Sequence, residues 1–96
     1  MEPKEREAEL IKAALAHATV VGYTNVTRKS LADYAKCSEA LVSARFGTMK
    51  QLRRAIMRHA IMEGNLRVIA QGLAVRDAQA RKAPDELKEQ ARAALA

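Results

Sequence analysis

The chain has 96 residues, 49% of them hydrophobic but only 3% aromatic, and carries a formal net charge of +6. That length allows one compact domain at most, the apolar share excludes a disordered polymer, and the single cysteine excludes an internal disulfide. The positive excess favours a polyanionic partner.

The opening residues, MEPKEREAELIK, are charged and lack the apolar centre of a secretion signal. No run of the sequence reaches membrane-spanning length, so a cytoplasmic protein is expected. Pro3 suits the first turn of a helix, where its missing N–H costs nothing, and Glu2 and Glu5 complement the helix dipole. Leu10, Ile11, Ala14, Leu15, Ala18 and Val21 then recur at steps of three and four, which predicts one helix from Pro3 to Val21, stopped at Gly22. Tyr23-Thr24-Asn25-Val26 reads as a short loop. Thr27 is an N-cap for a second helix, Arg28 to Ala35, with Leu31, Ala32 and Ala35 facing inward.

Lys36-Cys37 forms a tight turn, and Ser38 caps a third helix from Glu39 to Phe46. Leu41, Val42 and Phe46 supply its apolar contacts, leaving Ala40, Ser43, Ala44 and Arg45 for its outer face or margins. Gly47 stops this helix and Thr48 caps a fourth that opens at Met49. Leu52, Ala55, Ile56, His59 and Ala60 follow one side of it. Lys50, Arg54 and Arg58 follow another, with Arg53 beside them. Whether Gly64 breaks this helix is open from sequence, because an interior glycine costs only about 1 kcal/mol. Leu66, Ile69, Ala70, Leu73 and Ala80 form a second periodic set, and Ala83-Pro84 marks a boundary. The last segment places Leu87, Ala91 and Leu95 on one face. With two prolines and four glycines there is little material for β-turns, and the expected class is all-α.

Two short capped helices joined by a tight turn, Val20 to Phe46, make the pattern of a helix-turn-helix that sets its second helix in the major groove of DNA. The charge lies mainly beyond it. Residues 48–83 hold eight basic and two acidic side chains, against seven and six in residues 1–47. Little else carries chemistry. Cys37 stands where a small core residue is expected, and Met49, Met57 and Met62 read as core or interface filler. Tyr34 reads as a packing residue with a wet hydroxyl. His17 and His59 lack cysteine or carboxylate partners at ligand spacing, so no metal, cofactor or enzymatic activity is expected.

Leu10-Ile11-Lys12-Ala13-Ala14-Leu15, Val21-Gly22-Tyr23, Thr27, Leu31-Ala32 with Ala35, Ser38-Glu39 through Phe46, and Gly47-Thr48 with Leu52 together resemble the DNA-binding domain of the TetR family of transcriptional regulators. The likeness covers about residues 8–57. Three positions depart from the family pattern: Lys36 replaces the usual turn glycine, Ser43 the usual mid-helix aromatic, and Met49 with Lys50 the usual early lysine. The resemblance implies a TetR-like three-helix DNA-binding domain in minimal form, without the ligand-binding domain, so no small-molecule ligand is expected. It puts Arg28 and Lys29 near phosphates, Ser38, Ala40, Ser43, Ala44 and Arg45 toward the groove, and Thr48, Lys50 and Arg54 on the flanking backbone.

The expected division is a helix-turn-helix domain over 1–58 and a helical dimerisation region over 59–96. Leu66, Ile69, Ala70 and Leu73 form the expected dimer surface, an apolar stripe with no evident second layer to cover it. The expected function is a sequence-specific transcriptional regulator, repressing by default, bound as a homodimer to a palindromic operator in double-stranded DNA. Two other classes are compatible with the sequence: an architectural DNA-binding factor for recombination or partition, and a protein-interaction module such as an antitoxin or anti-repressor.

Overall fold

A computed structural model describes the backbone of residues 3–95 and the side chains of residues 8–94. Glu2 and the side chains of Glu5 and Leu95 lie outside the described residues. Among the residues described, the chain is all-helical: α1 (Pro3–Val21), α2 (Arg28–Ala35), α3 (Glu39–Phe46), α4 (Met49–Glu63), α5 (Leu66–Ala74), α6 (Ala78–Arg81) and α7 (Asp85–Leu95). A single 3-10 turn over Tyr23–Asn25 links α1 to α2. No helix is long and apolar enough to cross a membrane among these residues.

Local chemistry sets the boundaries. The Thr27 hydroxyl accepts the Ser30 N–H while the Ser30 hydroxyl accepts the Thr27 N–H, a reciprocal cap on α2. Thr48 and Gln51 make the same exchange at the start of α4. Ser38 accepts the Leu41 N–H to open α3. Gly64 adopts a left-handed conformation and its N–H returns to the last turn of α4, so the helix ends there. Asn65 restarts the chain as the cap of α5 and also donates to the Thr19 hydroxyl of α1. The periodic set from Leu66 to Ala80 is two helices rather than one, because Arg76 turns left-handed and Asp77 caps α6 through the Gln79 and Ala80 N–H groups.

One core joins all of this. Ala14 and Ala18 of α1, Leu31 of α2, Val42 of α3, Leu52, Ile56 and Met57 of α4, Ile69 of α5, Ala80 of α6 and Ala91 of α7 belong to a single buried cluster. The boundary expected at 58/59 falls inside α4, and the core runs across it, so the two segments are packed as one body.

The expected dimer stripe requires correction. Ile69 and Ala70 are buried, at 0% and 2% exposure, while Leu66 and Leu73 are half-buried against the same core. The covering layer is α7, which packs along α5 more extensively than any other pair of elements touches. It supplies the second layer that a periodicity reading of α5 by itself does not reveal.

Candidate nucleic-acid interface

The turn between α2 and α3 is closed by backbone hydrogen bonds alone. Lys36 caps α2 in the left-handed region, at φ 57° and ψ 46°, and the Cys37 N–H donates to the Ala32 carbonyl at 3.0 Å. Lys36 therefore takes the conformation that glycine ordinarily supplies at this turn, keeping a lysine side chain exposed on the bend. Cys37 is half-buried and packs on the core.

α3 divides into two faces. Val42 is fully buried, and Leu41, Arg45 and Phe46 are half-buried around it. Ser38, Glu39, Ala40 and Ala44 are exposed, and Ser43 is half-buried on their margin. The Arg28 guanidinium donates to the Ser43 hydroxyl at 3.3 Å, bridging the first turn of α2 to the middle of α3. Thr48 is exposed at the start of α4, followed by exposed Lys50, Arg53 and Arg54, while Lys29 is exposed beside Arg28. Each of the three helix starts leaves unpaired N–H groups beyond those its cap satisfies, and such groups suit phosphate oxygens.

Arg45 is the expected groove residue that does not belong with the others. Its Nε is buried without a hydrogen-bond partner, and its side chain lines a groove with Ala8 and Ile11 of α1 and Ala55 of α4. Arg45 follows Leu41 by four positions, so both lie on one side of α3, one turn apart. That side is the packed one. The outer face of α3 consequently holds hydroxyl, methyl and carboxylate groups only, and Arg28 is the cation that reaches over it. Arg58 continues the exposed stripe of Lys50 and Arg54 along α4 and also borders the α1–α4 groove.

Two buried polar links that the sequence reading missed hold this unit in place. Tyr23, read as a loop residue, is 2% exposed. Its single hydroxyl proton points to Asp77 Oδ1 at 2.9 Å, with the Arg53 carbonyl also within reach of the hydroxyl at 3.2 Å, and its N–H donates to Gln71 Oε1 at 2.7 Å. Burial, then the Asp77 carboxylate, push its pKa well above the ordinary tyrosine value, so the phenol stays protonated and donating. His17, also buried, lies against Tyr34 with ring centroids 4.9 Å apart and pairs through Nε2 with the Ser30 hydroxyl at 2.9 Å. Ser30 gives its own proton to the Thr27 carbonyl, which leaves it an acceptor and assigns the His17 proton to Nε2. A buried aromatic two residues beyond the end of a helix was the available signal for Tyr23; nothing local pointed to Asp77.

No group of three or more His, Cys, Asp or Glu side chains is placed to hold a metal ion among the described residues. The chain matches no protein-family profile, no curated protein and no solved structure.

Proposed function

We propose that this protein is a sequence-specific DNA-binding transcriptional regulator of TetR-like type in minimal form, acting as a homodimer on a palindromic site in double-stranded DNA. The observation that carries the reading is the unpacked face of α3, with Ser38, Ala40 and Ala44 exposed, flanked by exposed Lys29, Lys50 and Arg54 at the starts of the neighbouring helices. A helix left bare on one side and bordered by cations at helix N-termini is what groove insertion with phosphate clamping requires. Arg28 takes the place of Arg45 as the arginine available to base edges. Small hydroxyl and methyl groups make weaker base contacts than a bidentate arginine, so selectivity leans on half-site spacing and duplex shape.

The test is selection of bound sequences from random duplex DNA by the full chain, with the mass of the complex measured. A short inverted repeat carrying two copies supports the regulator. Extended coverage without a palindrome overturns it in favour of an architectural factor, and no enrichment overturns DNA reading altogether. On the selected site, Arg28→Ala should cost on the order of 1–3 kcal/mol of specific binding and Arg45→Ala much less. Lys50→Ala with Arg54→Ala should flatten the slope of log K against log salt by roughly four units, two contacts being lost in each of two subunits.

A further inference from the structure

Among the side chains that α3 leaves exposed, Glu39 is the charged one, and its sign is that of DNA itself. Its carboxylate pairs with no cation among the described residues, although exposed Lys29, Lys50 and Arg54 border the same surface. An acid in a first turn complements the helix dipole, but that does not account for this one. Ser38 already caps α3 through the Leu41 N–H. The neighbouring helices α2 and α4, capped in the same way, have no acid in their first turns.

A carboxylate carried in among phosphates is repelled by them and gains only where it meets a hydrogen-bond donor. The major groove offers few. Guanine presents N7 and O6 and thymine presents O4, all acceptors; adenine sets its N6 amino group beside the N7 acceptor; cytosine presents the N4 amino group alone. An ionised carboxylate can only accept. Cytosine is therefore the base it fits, while guanine and thymine are turned away by the same charge. The placement agrees with this, because the N-terminal residues of a reading helix are the ones that meet base edges. Ser43 follows Glu39 by four positions, one turn along the same flank of α3, about 6 Å away. The Arg28 guanidinium rests on the Ser43 hydroxyl at 3.3 Å. A group that only accepts and a group that only donates thus stand on one flank, matching the cytosine and guanine edges respectively.

We propose that Glu39 selects cytosine in each half-site, accepting a hydrogen bond from the N4 amino group beside the guanine edge open to Arg28. This rests on the DNA-reading function proposed above and adds to it the base that α3 demands and the bases it rejects.

The experiment is selection from random duplex DNA with the full native chain and with its Glu39→Gln and Glu39→Ala variants, followed by affinities on the native chain's selected site. Glu39 is exposed, so both variants keep the fold, which far-ultraviolet circular dichroism verifies. One column of each half-site should be cytosine for the native chain and adenine for the glutamine variant, whose amide pairs with N6 and N7. With alanine that column should lose its preference, the other columns staying as they were. Replacing the cytosine by another base should weaken the native chain about tenfold or more per half-site and Glu39→Ala less than about twofold. A motif identical for all three chains, a Glu39-dependent column of guanine or thymine, or an equal loss of affinity on every sequence overturns the proposal while DNA reading stands. No enriched sequence with any of the three chains overturns the reading beneath it as well.

Discussion

At the residue scale, His17 makes stability depend on pH in a defined direction. Burial holds its pKa below the ordinary value of 6.5, and its Nδ1 is buried with no hydrogen-bond partner. Protonation would place a second N–H on that atom with no acceptor to receive it. The unfolded chain takes up a proton near 6.5 and the folded chain only at lower pH, so between the two the unfolded state binds more protons and stability rises with pH. His17 therefore contributes stability that is fully present above about pH 6.5 and is lost as pH falls through the depressed folded value. Urea midpoints measured at pH 7.5 and 5.5 should show this drop in the native chain. His17→Gln keeps a donor for Ser30 without titrating, and should show a smaller drop. Equal drops in both proteins would remove His17 from the account.

At the scale of elements, the α2–α3 turn carries the clearest local cost. Left-handed backbone is unfavourable by roughly 1–2 kcal/mol for a residue with a β-carbon, and Lys36 occupies it. Glycine relieves that cost but loses more freedom on folding, by about 0.4–1 kcal/mol. Lys36→Gly should accordingly raise the unfolding free energy by up to about 1 kcal/mol, read from urea denaturation at constant m-value; a fall would mean that the lysine side chain is stabilising the bend. The helix limits from α1 through α3, and the start of α4, were legible because caps act locally: Thr27, Ser38, Thr48 and Gly22 each announce their role within three or four residues. The split between α5 and α6 was equally local, since Asp77 is a strong capping residue, but periodicity through Ala80 masked it. The side on which Arg45 lies was also written in its spacing from Leu41. What periodicity could not supply was the partner of each apolar stripe. Leu66, Ile69 and Leu73 look the same whether α7 or a second subunit covers them.

At the scale of the whole molecule, the single core removes the separation between reader and dimerisation region that the sequence implied. α5 packs against α1, α4, α6 and α7, and Tyr23 ties the linker before α2 to Gln71 and Asp77. Burial of each large apolar side chain is worth about 1.5–3 kcal/mol, against a total stability of roughly 5–15 kcal/mol for a domain. A chain ending at Ala83, lacking α7, should thus lose helicity throughout rather than only at its C-terminal end, and lose duplex binding with it. Circular dichroism and thermal melting of the 1–83 fragment decide this. A native-like melt in that fragment would restore an independent reader.

The hydrogen bond from Tyr23 to Asp77 also has a meaning in time, because its partners are 54 residues apart in the chain. A ribosome adding about 5–20 residues per second synthesises Tyr23 first and reaches Asp77 roughly 3 to 11 s later, with α2 and α3 made in between. During that interval α2 and α3 can coil, but the linker that orients them lacks its bond to Asp77. The growing polypeptide passes through a stage in which the surface proposed to read DNA has been synthesised and is not yet set; on that proposal competence arrives only with the segment that supplies Asp77.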